Sequence, residues 1–491
     1  MKFDNKTGHS FLKLRPLLEV LLVLAGGFIY GAYIVRSSAF TVAFTAGLLL
    51  FFVLARSPLK ALSFLLFVVP FSQMQLLNEP VVDLPGARPF LLLGVLVVVI
   101  VMLNYSKANR MPRLLMALAG ALFVFFAVSV FRAFSYKEII GFATDQEYTD
   151  LGFFLSFLIK PLVYFIPLII VAKFVHDEHD IDFLVKTIML ALVVLSSCFL
   201  FYYVFNVTNK SDIEAVWKTV GTELRLQKGQ AASLYTICFP MVLARYFATK
   251  DRLSLLAICL CLPSVGFLYS RTAYVTVVLA FPLYLLFSRR LKFFPILVVL
   301  AIVVSFLVSE TIVERATKGL DTENVEEILS GRLDKQWIPL TMEYLSDPQK
   351  LLFGQGRNAV LVSESYKIGL FPGATHPHNM YLELVVDAGL VAVIPIVILL
   401  VFVIKKTYAL LRREQDSSMR EYLCGALVSM ICYFMGGMTR GSLFPVLENS
   451  YFCAVLAMVF VIGRRPRTPV GQEQAGLSGS HVERELSKIE Q

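Results

Sequence analysis

Long apolar runs broken by short polar segments dominate the sequence. A helix needs roughly 15–25 residues to cross a hydrocarbon core of about 30 Å, and the runs have that length. They predict about fourteen spans, at approximately 16–35, 38–55, 61–76, 89–104, 114–131, 153–172, 183–205, 230–247, 253–269, 272–287, 293–309, 380–404, 421–436 and 446–463. The third is the weakest, interrupted by Pro70, Ser72, Gln73 and Gln75. The ninth and tenth are separated only by Ser270 and Arg271, which predicts a tight hairpin. Barrel strands would instead alternate over about ten residues. The pattern reads as an all-α polytopic membrane protein.

Composition agrees. Of 491 residues, 57% are hydrophobic and 16% charged, with 41 phenylalanines. Soluble domains run nearer about 45–50% apolar and about 25% charged. A soluble enzyme, a fibre and a disordered chain are excluded. The net charge of +9 would suggest nucleic acid in a soluble protein. Here lysine and arginine mark cytoplasmic loops, and no nucleic-acid partner is expected. Arg56/Lys60, Lys107/Arg110/Arg113, Arg289/Arg290/Lys292 and Lys405/Lys406/Arg412/Arg413 fall on one side when the N-terminus is cytoplasmic. Both termini are then cytoplasmic, and no cleavable signal peptide is evident. All seven cysteines lie in apolar blocks without CxxC spacing, and Cys259 and Cys261 should point to different helix faces. The chain divides into an N-terminal transmembrane bundle (1–219), a second transmembrane region (220–463) and a disordered cytoplasmic tail (464–491).

Chemistry, if present, belongs to the opposite side. Two segments there are long enough to fold, about 206–229 and 310–379; the larger lies between spans 11 and 12. Within it Leu333, Trp337, Leu340 and Tyr344 recur on one helical face, which Asp347-Pro348 should end. Arginines crowd the membrane boundary: Arg36, Arg88, Arg132, Arg225, Arg271, Arg332, Arg357 and Arg440. Each alone reads as a snorkelling anchor. Together they suggest a phosphate site, because the guanidinium fork bonds phosphate oxygens bidentately. His376 and His378 flank Pro377 before the span at 380–404. Two residues apart and without a third ligand nearby, they favour a catalytic base or hydrogen-bond donor over a metal site. Glu383 and Asp387 share a helix face and read first as partners for the arginines. No Walker loop, HExxH motif or GxSxG elbow occurs. A secondary transporter would show repeat symmetry and midplane charges, and neither pattern is evident.

At His378 a known pattern emerges. His378-Asn379, nine residues and then Gly389, in "HNMYLELVVDAGLVAVI", resembles the signature of the O-antigen ligase and O-antigen polymerase superfamily (WaaL- and Wzy-like). The ligase pattern would place another glycine three residues later, where this chain has Ala392. "LYSRTAYVTVVLAF" (268–281), "SGRLDKQWIPLTMEYLSDPQKLLFGQGRN" (330–358) and "ELRLQKGQAASLYTICFPMVLA" (223–244) resemble further family segments, in order. The resemblance covers about residues 220–460.

It implies a GT-C-like membrane glycosyltransferase acting at the periplasmic face without metal or other cofactor. The donor would be an undecaprenyl-diphosphate-linked glycan, the acceptor another lipid-linked glycan (polymerase) or lipid A core (ligase). Arg225, Arg271, Arg332 and Arg440 would hold the diphosphate. His378 would act on the acceptor hydroxyl, with Asn379, Glu383 and His376 behind it. Membrane lipids are expected neighbours, and a chain-length regulator is a candidate partner. Polymerisation in surface polysaccharide synthesis is the first expectation and ligation the second. A polysaccharide flippase is the reading from another class.

Overall fold

The computed structural model describes residues 57–74, 88–207, 216, 221–222, 224–295, 332–371, 376–439, 442–443 and 445–465. The spans expected at 16–35 and 38–55, nearly all of 293–309, Arg440 and nearly all of the tail lie outside the described residues. So do Arg36 and the first part of the large loop.

Every regular element among the described residues is helical. The helices used below are α1 (Pro58–Val68), α2 (Pro89–Leu103), α3 (Arg113–Ala133), α4 (Asp150–Phe174, with a π-turn at Leu155–Ile159), α5 (Glu178–Phe205), α6 (Lys228–Thr249), α7 (Arg252–Phe267) and α8 (Arg271–Phe287). Within the large loop lie α9 (Ile338–Leu345) and α10 (Pro348–Phe353), and after it come α11 (Met380–Ala388), α12 (Leu390–Arg413), α13 (Ser417–Gly437) and α14 (Asn449–Ile462). Among the described residues, five helical stretches are long and apolar enough to cross a membrane: Arg113–Thr144, Asp150–Phe174, Glu178–Phe205, Lys228–Thr249 and Leu390–Arg413. Shorter apolar helices fill most of the other expected spans.

Local chemistry sets the helix ends. Side chains of Ser57, Asp177, Asp251, Asp347, Asn379 and Asp416 each accept from backbone N–H groups of the turn they precede. Those groups have no intrahelical partner, so a short polar side chain there satisfies them. Asp347 thus opens α10 just after α9 stops, where the Asp-Pro pair predicts a break. Leu340 and Tyr344 are buried, as their shared face implies.

One expectation changes. The span read as 380–404 is two helices, broken at Gly389 (φ 75°). The membrane-length helix is α12, and α11 precedes it as a separate element carrying Glu383 and Asp387. Cys259 is exposed and Cys261 buried, on different faces of α7.

The centre is α13 running antiparallel along α6. A Cβ on Gly425 would lie 2.6 Å from Ala244 Cβ and 2.9 Å from the Pro240 carbonyl, so only glycine allows this approach. Near the other end of α13, Gly436 lies against Thr272, Thr276 and Thr236. Thr236 and Thr276 share a hydrogen bond of 2.7 Å. The starts of α6 and α8 therefore lie at the end of the bundle where α13 finishes.

Candidate active site

The nine-residue spacing between Asn379 and Gly389 has a physical meaning. Asn379 Oδ1 accepts from Tyr381 N (3.0 Å) and Leu382 N (3.1 Å), which caps α11. The nine residues are α11 itself, and Gly389 ends it. His378 precedes the cap with φ 54°, a left-handed backbone uncommon outside glycine. Arg225 (φ 46°) and Tyr269 (φ 50°) share that feature, shortly before α6 and α8. Lys250, by contrast, adopts it as an ordinary helix C-cap. Strained backbone of this kind gathers at functional sites.

These segments meet. Arg271 opens α8, and Thr272 beside it shares a 2.7 Å hydrogen bond with Thr439. Arg332 Nη1 donates to the Thr439 carbonyl at 3.4 Å. Five residues on, Trp337 Nε1 donates to the Pro377 carbonyl at 2.7 Å, between the two histidines. The rings of His376 and His378 are 4.2 Å apart and tilted edge to face. Tyr381 OH donates to the Phe434 carbonyl at 2.8 Å, and Met380 packs on Gly437. Arg271, Arg332, His376 and His378 thus belong to one cluster where α8, α11 and α13 converge, all four half-buried. Arg225 is exposed before α6, at the same end of the bundle. Arg440 lies outside the described residues.

Glu383 and Asp387 do partner an arginine, but it is Arg357. Its Nη1 bonds Glu383 and, at 3.0 Å, Asp387. Both carboxylates are buried, 4% and 1% exposed. Asp387 also accepts from Asn358 N (3.2 Å) and Ala359 N (3.1 Å). Burial works against the Arg357 charge, yet the two carboxylates outweigh it and hold the guanidinium protonated above its usual range. Burial pushes the Asp387 carboxyl up to about 7, against the pull of Arg357 and with the push of Glu383.

Around this pair the glycine-rich turn is a lock. Gln355 N donates to Val386 O, and Gly356 N to Asp387 O, both at 2.9 Å. Arg357 N donates to Ser129 O on α3 at 2.8 Å. Arg132 donates to the Phe353 and Gly354 carbonyls, and Tyr136 OH to the Arg357 carbonyl at 2.8 Å. A Cβ on Gly354 would lie 2.6 Å from Asp387 O. The backbone N–H groups of the turn are therefore committed to protein carbonyls. Arg132 and Arg357, grouped by sequence with the phosphate candidates, tie the loop to α3 and α11. Of the two residues that join the arginines to the histidines, Trp337 is legible in the sequence as part of a helical face but not as a partner of Pro377, and Thr439 carries no sequence signal beyond proximity to Arg440.

Residues 242–397 match a family model described as O-Antigen ligase. The match contains Arg271, Arg332, both histidines, Asn379, Glu383 and Gly389, and leaves out Arg225 and Arg440. It is narrower than the stretch 220–460 over which the resemblance is legible. A search of curated proteins finds no match. Over residues 242–397, about a third of its length, the chain is thus similar to the O-antigen ligase/polymerase superfamily.

Proposed function

We propose that the protein polymerises undecaprenyl-diphosphate-linked oligosaccharide repeats at the periplasmic face of a bacterial inner membrane. The observation that carries this is the convergence of Arg271, Arg332, His376 and His378. Arg225 and Arg271 hold the donor diphosphate, with Arg332 and Arg440 assisting. His378 accepts the proton of an acceptor hydroxyl as its oxygen attacks the anomeric carbon. The bond from that carbon to the diphosphate breaks, and polyprenyl diphosphate leaves with the electron pair. Arginines stabilise the developing charge, the task of preorganised donors in group transfer. Asn379 holds His378 at the mouth of α11, while Glu383 acts through the Arg357 lock rather than on substrate.

The description of the matching family supports a second reading, transfer of the finished glycan to lipid A core. One experiment separates the two. The purified protein is reconstituted with a single lipid-linked repeat unit, with and without lipid A core. A ladder of lipid-linked oligomers without added core supports the polymerase, and His378→Ala should abolish it. A product that forms only with core replaces polymerase by ligase. A ladder that survives in His378→Ala removes that residue from the chemistry. Transport of the lipid-linked unit without any product would favour a flippase.

A further inference from the structure

The large loop carries an apolar surface that its own core leaves out. On α9, Leu340 and Tyr344 turn inward and pack with Val360, Phe371 and Val386. Ile338, Met342 and Leu345 recur at spacings of four and three on another face, 46%, 58% and 55% exposed. Leu352 and Phe353, exposed as well, end α10, which packs on α9. The charged side chains between Ile338 and Phe353 are committed elsewhere. Glu343 accepts from Lys350 Nζ (3.2 Å), Glu364 N (3.1 Å) and Ser365 N (3.2 Å). Asp347 caps α10.

A helix apolar on all sides belongs in a protein core or in lipid. Two neighbours indicate which. The Leu352 carbonyl lies against Gly389, where α12 starts. From there Val391, Ile394, Ile398 and Phe402 run along α12 as an exposed stripe at helical spacing. Arg132, at the end of α3, donates to the Phe353 and Gly354 carbonyls, and Val124, Val128 and Phe131 are exposed on that helix. Both helices lie in stretches long and apolar enough to cross a membrane, so their exposed apolar stripes meet lipid. The end of α10 sits where these two stripes finish. We propose that Ile338, Met342, Leu345, Leu352 and Phe353 seat α9 and α10 in the hydrocarbon border of the leaflet on the candidate site's side. Burial of apolar surface drives the seating, and a face without charge escapes the desolvation cost. Trp337, immediately before α9, donates to the Pro377 carbonyl between the two histidines. The seat thereby sets the height of the histidines relative to the lipid surface. It rests on the spanning helices and not on the glycosyl transfer proposed above.

The test reconstitutes the full-length protein in nanodiscs of phosphatidylcholine whose chains are either plain or brominated. Tryptophan fluorescence is the readout, because bromine quenches it on contact. Met342→Trp and Phe353→Trp report on the face, and Lys367→Trp on an exposed, charged part of the same loop. The signal of the wild-type protein, which contains Trp217 and Trp337, is subtracted. Met342 and Phe353 are exposed, so these substitutions keep the inner packing of the loop. Brominated chains should quench the added tryptophan in Met342→Trp and Phe353→Trp, and aqueous acrylamide should not. Lys367→Trp should show the reverse. Adding Leu345→Glu places a charge on the face and should shift Phe353→Trp from bromine towards acrylamide. Quenching of both reporters by acrylamide would return the face to water. Quenching by neither agent would show that protein covers it, from this chain or a partner. Equal bromine quenching in Lys367→Trp would show that lipid contact is not particular to this face. Each of these three results overturns the seat. No product is measured, so failure of the proposed glycosyl transfer leaves the outcome unchanged.

Discussion

The two ends of the bundle use arginine differently. At the end where α13 begins, arginines meet carboxylates from other helices. Arg245 on α6 pairs with Asp182 on α5 and with Asp251, and Tyr422 OH also donates to Asp182. Arg290 pairs with Glu421, which also accepts from Tyr284 OH. Arg465 reaches Glu178 and Asp416. These contacts staple helix ends. At the end where α13 finishes, Arg357 is used that way. The named contact of Arg332 there is a neutral carbonyl, and through Trp337 its segment reaches the two histidines. Arginine count alone therefore says little; what faces each guanidinium separates a staple from a ligand site.

The largest effect should fall on the staple at the site end. Removing one member of a buried ion pair costs about 3–5 kcal/mol, because the remaining charges are left uncompensated. Arg357→Ala leaves Glu383 and Asp387 in that state, so a strongly lowered thermal midpoint is expected, with loss of product as α11 comes free of the loop. Arg290→Ala, at the more exposed pair, should destabilise less and leave the folded fraction active. Equal loss of activity per folded molecule in both variants would erase the distinction between the ends.

Arg271→Lys should show the reverse signature. The charge survives but the bidentate fork does not, and loss of one preorganised donor costs about 100-fold or more in rate. The thermal midpoint should stay near wild type. Near-normal turnover would make Arg271 an anchor of the same kind as those at the opposite end.

Much of this contrast was legible in the sequence, for physical reasons. Among the described residues, apolar run length anticipated the apolar helices from residue 61 onward, because membrane burial leaves little else that can satisfy the backbone. The hairpin at Ser270-Arg271 and the buried face of Leu340 and Tyr344 also follow from local pattern. The break at Gly389 did not. The apolar run continues through it, and the need for glycine comes from the close approach of the α10 terminus and the Gly354 turn. Likewise the carboxylates of α11 announced an arginine partner, but the choice of Arg357 rests on a turn threaded between α3 and α11, a contact between distant segments.

Smaller effects sharpen the comparison through helix caps. Asn379 and Asp416 each accept two backbone N–H bonds, at opposite ends. Replacing either by alanine should cost about 1 kcal/mol. The two losses of stability should match. Only Asn379→Ala should also slow product formation, because its cap fixes the residue next to His378. Equal rates in the two variants would show that His378 does not depend on the cap.

The last effect concerns protons on the Arg357 lock. Asp387 holds its proton up to about 7 when folded, whereas a free aspartate releases it near about 3.9. A raised folded value means the folded state binds the extra proton. The associated stability is fully present below about 4 and is lost as pH climbs through about 7. The cause is local: ionised Asp387 sets a second carboxylate beside Glu383 against one guanidinium. Amide exchange at Gln355 and Gly356, whose N–H groups rest on α11 carbonyls, should therefore quicken between pH 6 and 8 beyond the intrinsic rise. Asp387→Asn, which stays neutral, should flatten that excess, while amides near Glu421 at the opposite end should serve as the unchanged reference. An excess that persists in Asp387→Asn would move the titrating group elsewhere and leave the lock to Arg357 and Glu383 alone.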